Sequence, residues 1–168
     1  MSQSSPHSET TTQSSDLGRK GEELAAAYLQ HLGFQIVAAN FTVPVGRNRI
    51  DAVVNVEIDL VAYEGPVLCF VEVKTRRSDW FAPPIANVDL RKQRQVTRAA
   101  RVYQRMFGLS DERSRFDVVS IVLQPADIAV VEEEVSNSPA TNIQIELLRN
   151  FWSEEKFRKP RPSGVHWD

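Results

Sequence analysis

Glu57-Ile58-Asp59-Leu60-Val61-Ala62-Tyr63-Glu64-Gly65-Pro66-Val67-Leu68-Cys69-Phe70-Val71-Glu72-Val73-Lys74 holds two apolar runs on either side of a short turn. Residues of this kind around Gly-Pro predict an antiparallel β-hairpin. Folding it about Gly65 brings Asp59, six residues before the turn, nearly opposite Glu72, seven after it. Side chains alternate along a strand, so Glu72 and Lys74 share a face, with Cα atoms roughly 7 Å apart. An ion at the end of an apolar strand is costly unless it is paired or binds a metal. Two carboxylates held together repel, and a divalent cation removes that repulsion. Asp59, Glu72 and the Val73 carbonyl are hard oxygen donors suited to Mg2+ or Mn2+. Such an ion polarises a phosphate and acidifies water, and Lys74 stands where it can orient that water. On spacing alone this reading competes with a plainer one, an acid near a turn and a solvated Glu-Lys pair at a strand end.

Working outward, a first helix is expected over Leu17–Leu32, capped by Ser15 or Asp16 and closed by Gly33, with Leu17, Gly21, Leu24, Ala25, Tyr28 and Leu32 on one face. Phe34–Ala39 reads as a strand, 41–49 as a loop carrying Pro44 and Gly46, and Ile50–Tyr63 as a strand with a break near Asn55. Pro83 and Pro84 mark a loop. Asp89 caps a long helix, Leu90–Phe107, which Gly108 closes. Phe116–Leu123 and Asn142–Leu148 are further strands, and Phe151–Lys159 a terminal helix. The order predicts an α/β fold, a central mixed sheet with helices on its faces. Its organisation is a disordered tail over 1–15, one domain over 16–159 and a loose tail over 160–168.

Composition narrows the partners. The net charge is −2, yet residues 74–105 carry nine Lys or Arg against two acids. A basic segment in an acidic chain is a nucleic-acid signature. Within it Arg91, Arg94, Arg98, Arg101 and Arg105 form one helical stripe, with Arg76 nearby on the strand and Lys92 nearer the core. A row of this kind is otherwise a solvated face. Tyr63, Trp80 and Phe81 are aromatics that stack on bases or, more ordinarily, pack. Glu132-Glu133-Glu134 reads as a solvated acidic loop. His7, His31 and His166 have no zinc spacing. The single cysteine, Cys69, lies in an apolar run, which excludes an internal disulfide and favours a reducing compartment. The first fifteen residues hold nine Ser or Thr and no apolar stretch, unlike a signal peptide. The expected location is the cytoplasm, away from any membrane.

Gly18-x-x-Gly21-Glu22, Glu57-Ile58-Asp59-Leu60-Val61-Ala62, Phe70-Val71-Glu72-Val73-Lys74-Thr75-Arg76, Lys92 and Arg115-Phe116-Asp117-Val118-Val119 resemble the YraN-like family of bacterial proteins over about residues 17–123. That family is placed in the PD-(D/E)XK nuclease superfamily, near the Holliday-junction resolvases. The resemblance implies a restriction-endonuclease-like αβββαβ core and a Mg2+- or Mn2+-dependent nuclease acting on DNA, with branched or structured DNA as the favoured form. It implies Asp59 and Glu72 as metal ligands, Lys74 as the catalytic lysine and Glu22 as an accessory acid. By analogy with resolvases it also implies a homodimer. Two departures stand out. The link over Thr42–Asn55 is longer than the short basic link usual there, and Val56 replaces a glycine before Glu57. The alternatives are a non-catalytic nucleic-acid-binding or scaffold protein on the same fold, and a nuclease of RNA.

Overall fold

A computed structural model describes residues 7–77, 88–123 and 143–157, with side chains from Asp16 onward. Its elements run α1 (His7–His31), β1 (Gln35–Arg47), β2 (Val53–Glu64), β3 (Val67–Arg77), α2 (Leu90–Met106), β4 (Ser114–Leu123) and β5 (Ile143–Trp152), followed by a 3₁₀ turn over Glu154–Phe157. The five strands form one sheet in sequence order. β3 and β4 are parallel and the other neighbours antiparallel, so the fold is α/β with a mixed sheet, consistent with a restriction-endonuclease-like core. Parallel neighbours need a long crossover, and α2 lies within it.

Each face of the sheet is closed by one helix. Ile58, Phe70 and Phe116 meet Val96, Ala99 and Tyr103 of α2 on one side. Leu60, Val71, Val119 and Ile121 meet Ala25 and Leu29 of α1 on the other. Strands covered on both faces must be apolar throughout, which is why β3 and β4 read as continuous runs rather than alternations. Asp89 caps α2 as expected, its carboxylate accepting from the Lys92 amide at 2.8 Å. Gly108 follows the helix with φ +70°. Cys69 is fully buried, a core thiol whose pKa burial pushes up to about 12.

Five expectations change. α1 begins at His7, inside the stretch read as a disordered tail, so Ser15 and Asp16 are helix interior rather than caps. Extending an existing helix needs no new nucleus, and the packed segment from Leu17 supplies one. The buried face of α1 is Gly21, Ala25 and Leu29, with Leu32 left 40% exposed. The 41–49 stretch is mostly strand, because β1 runs on to Arg47. Val43 is buried on the α2 side, while Pro44 is tolerated on an edge strand beside a register shift. β2 starts at Val53, after a turn over 48–52, and is unbroken at Asn55, which pairs with Pro44. Phe151 and Trp152 end β5 instead of opening a helix, since Trp152 is buried and stacks on Phe116 at 4.9 Å. Residues 1–6, Trp80, Phe81, Pro83, Pro84, Glu132–Glu134 and the tail over 160–168 lie outside the described residues.

At the β2–β3 turn, Glu64 is clasped by Arg115 and by Arg149 Nη2 at 2.7 Å. The hydrogen bond from Arg149 is the main cause that holds its carboxyl down at about 2. A carboxyl lowered in the fold stabilises fully above its unfolded pKa and loses that contribution as pH falls through the folded value. The stability difference between wild type and Glu64→Gln should therefore be constant above about pH 5 and vanish towards pH 2. Urea melts of both proteins across this range check it, and a pH-independent difference would contradict it.

Candidate metal centre

The centre lies where the sheet forks. β2 and β3 are paired from Glu64↔Val67 to Leu60↔Val71 and no further. Beyond that point β2 stays with β1 as far as Val53, and β3 stays with β4 as far as Arg77. The alternation of β2 slips at the same place, since Ile58 packs on the α2 side and Leu60 on the α1 side. The first residues past the last pair are Asp59 and Glu72, nearly opposite each other. Val73, released from the ladder, still needs an acceptor for its N–H. The Asp59 Oδ2 accepts it at 2.7 Å, so the fork fixes the carboxylate. A residue's N–H and C=O point to the same side of an extended strand, so the Val73 carbonyl faces the fork too.

Both acids are buried, Glu72 to within 2% of full burial and Asp59 to within 8%. Lys74 Nζ lies 2.9 Å from Glu72 Oε1. Lys92, projecting from the first turn of α2, places its Nζ 3.1 Å from Glu72 Oε2 and 3.9 Å from Asp59 Oδ1. Burial works against the Lys92 charge, but Asp59 and Glu72 outweigh it and raise its pKa. Asp59 is raised to about 7, by burial first and by the neighbouring Glu72 second. The Val73 hydrogen bond and Lys92 only partly offset this.

A second group of acids opens from Asp59 towards α1. Carboxylate oxygens of Glu22, Glu57 and Asp59 lie within 4.8 Å of one another. Glu22 is steadied by Asn40, whose Nδ2 donates to it at 2.6 Å, and Glu57 by Thr42 Oγ1 at 3.3 Å. Helix α1 comes this close because Gly21 has no side chain, and a Cβ there would meet Thr75 Oγ1 at 1.8 Å. These residues fit a hard divalent cation. Every donor is a carboxylate or carbonyl oxygen, and the buried Glu72 Oε2 already faces a cation, the Lys92 ammonium at 3.1 Å. Glu57 is the residue that sequence reasoning passed over. Its signal was the Glu57-Ile58-Asp59 alternation, which puts both acids on one side of β2.

The arginines are placed differently. Arg91, Arg94, Arg98 and Arg105 are exposed along α2, and Arg76 is half-buried on β3, in line with Glu72 and Lys74. Arg101 is half-buried and ion-paired with Glu154 of the C-terminal 3₁₀ turn at 2.8 Å, which interrupts the stripe. The Arg94 guanidinium lies 5.7 Å from the Phe157 ring. Lys92 belongs to the carboxylate cluster and not to the stripe. Tyr63, offered as a stacking residue, packs against the α2-side core, and its hydroxyl donates to Glu112 at 2.6 Å. That hydrogen bond pushes its pKa up to about 12. No helix among the described residues is long and apolar enough to cross a membrane.

Comparison with known proteins gives the lineage. The model of the uncharacterised protein family UPF0102 matches residues 21–121, a span that contains Glu22, Glu57, Asp59, Glu72, Lys74 and Lys92. A UPF0102 protein of Chlorobium chlorochromatii is 38% identical over 83% of this chain and 94% of its own. One from Geobacter sulfurreducens is 40% identical over 69% of this chain and 83% of its own. One from Solibacter usitatus is 43% identical over 64% and 75%. The chain belongs to the UPF0102 family, the YraN-like proteins.

Proposed function

We propose that this protein is a metal-dependent nuclease of the PD-(D/E)XK type that hydrolyses phosphodiester bonds in DNA, with branched or structured DNA as its favoured substrate. The observation that carries the reading is the fork, where two buried carboxylates, a backbone carbonyl and a lysine converge beside two further acids. Asp59, Glu72 and the Val73 carbonyl would hold Mg2+ or Mn2+, with Glu22 and Glu57 bordering it. The bound ion supplies positive charge to the phosphate and makes nearby water more acidic. Lys74, held by Glu72, orients the attacking water and neutralises charge that grows on the phosphate oxygens. The water oxygen bonds to phosphorus and gives up a proton to solvent, one P–O ester bond breaks, and the departing oxygen takes up a proton from solvent. Lys92 balances the charge of the carboxylate pair while no ion is bound.

The test uses labelled four-way junction, flap and duplex DNA with Mn2+. Wild type should cleave, and Lys74→Ala should lose on the order of 10²–10³ in rate, the usual cost of one oxyanion-stabilising donor. The variant should still bind Mn2+, because an ammonium is not a ligand. Undiminished cleavage by Lys74→Ala would contradict the mechanism. DNA binding without any cleavage would favour the non-catalytic alternative.

The arginine stripe is proposed as a phosphate track. Replacing Arg94, Arg98 and Arg101 together by Gln should lower the slope of log affinity against log salt by about 0.9 for each duplex phosphate no longer neutralised. Arg101 must first exchange Glu154 for phosphate. Salt titrations by fluorescence anisotropy measure this, and equal slopes would make the stripe a solvated face.

A further inference from the structure

We propose that the outer half of the β1–β2 hairpin is an arm that grips duplex DNA beside the metal centre, with Arg47 and Arg49 on phosphates and Ile50 in the groove. This rests on the nuclease reading and deepens it, since it assigns where the flank of the substrate runs. The arm exists because of the fork. β1–β2 pairing continues out to Arg47↔Val53, while β2–β3 pairing has stopped at Leu60. What projects is a two-stranded ribbon, the form of strand that a major groove admits.

Its two faces differ. Val43 and Val56 are buried, and Val45 and Val54 pack against the α2-side core. Thr42, Pro44, Asn55 and Glu57 on the other face are all exposed. That open face starts at the metal centre, because Glu57 is one of the clustered acids and Thr42 donates to it. The far end is basic and preorganised. Asn48 Oδ1 accepts from the amides of Ile50 at 3.0 Å and Ala52 at 2.9 Å, and the Asn48 amide donates to the Ala52 carbonyl at 2.9 Å. Arg47 Nη1 donates to the Asp51 carbonyl at 2.8 Å and pairs with its carboxylate at 3.2 Å. These bonds hold Asp51 at φ +62° and hold Ile50 out, 83% exposed. A β-branched apolar residue on a rigid tip contributes nothing to this core and is ready for an external surface.

The reach can be stated. Asp59 to Val53 is six residues of strand, roughly 20 Å at about 3.3 Å per residue. At about 3.4 Å per base pair this places the tip contact about six base pairs from the cleaved phosphate. Continuity with the centre and the basic tip favour DNA as occupant over a second copy of the chain.

The experiment measures anisotropy of a labelled duplex and a four-way junction in EDTA, so that nothing is cut. Wild type, Arg47→Gln/Arg49→Gln and Ile50→Ser are compared, each first checked for wild-type Tm and Mn2+ binding. The double variant should lower the salt slope by about 1.8, two phosphates at about 0.9 each. The ratio of wild-type to variant affinity should then shrink about tenfold between 50 and 200 mM salt. Ile50→Ser should weaken binding about tenfold with the slope unchanged, as an uncharged contact requires. Hydroxyl-radical footprints of both variants should lose protection about six base pairs from the cut site. If wild type binds DNA and the double variant has the same affinity and slope, the arm is overturned and the nuclease reading stands. If wild type binds no DNA, both fall. A wild-type dimer that Ile50→Ser dissolves, seen by sedimentation, also overturns the arm and makes the tip a protein interface.

Discussion

Asp59→Asn should abolish Mn2+ binding in isothermal titration, while Asp51→Asn should leave it at the wild-type value. Both acids follow an isoleucine in the same half of the chain, but the fold separates them. Asp51 sits 84% exposed at the hairpin tip, paired with Arg47. Asp59 sits in the fork and belongs both to the pair with Glu72 and to the group with Glu22 and Glu57. Asparagine keeps an oxygen for the Val73 amide, so the fork should survive and only the charge is removed. Changes one layer outside the ligands cost about 10- to 100-fold in metal affinity, so loss of a ligand should exceed about 100-fold. The binding is also pH-dependent. Burial and then Glu72 raise Asp59 to about 7, so below that pH a proton competes with the metal. Affinity should climb from pH 6 to 7 and level off above. Equal affinity at pH 6 and 8, or wild-type binding by Asp59→Asn, would contradict the assignment.

The second large effect is structural. Gly21→Ala should destabilise the protein by about 3 kcal/mol, at the upper end of overpacking costs and well beyond the helix-forming gain of about 1 kcal/mol. The added Cβ would lie 1.8 Å from Thr75 Oγ1 and 2.9 Å from Thr75 Cβ, so α1 has to move off the sheet. Thr75→Ala in the same chain removes the hydroxyl but leaves the Cβ, and should recover only part of the stability. Because Glu22 is the next residue, the single variant should weaken Mn2+ binding as well. Denaturant melts of the single and double variants check the first part. A Gly21→Ala protein as stable as wild type would mean that α1 does not dock as closely as Thr75 requires.

The hairpin was legible in the sequence because its apolar runs and its Gly-Pro turn agree, and counting from Gly65 already set Asp59 opposite Glu72. Helix α2 was legible from Asp89, the arginine spacing and Gly108. The arm was not, since Pro44 and Gly46 are loop residues by local chemistry and only tertiary burial of Val43 turns them into edge strand. The end of β5 was hidden for a similar reason. Phe151 and Trp152 suit a helix equally well, and the stacking partner Phe116 is far away in sequence. Glu57 was missed as a member of the centre because its companions Thr42 and Glu22 come from other elements. The fork itself has no local signature. It follows from where β1 and β4 pull the two central strands apart.

The central claim is that this fork holds a divalent cation, and anomalous diffraction from a crystal soaked in Mn2+ tests it most directly. A peak about 2.1 Å from oxygens of both Asp59 and Glu72 is expected, with Lys92 displaced from between them. No peak at the fork, with Lys92 still bridging the two carboxylates in saturating Mn2+, would contradict it.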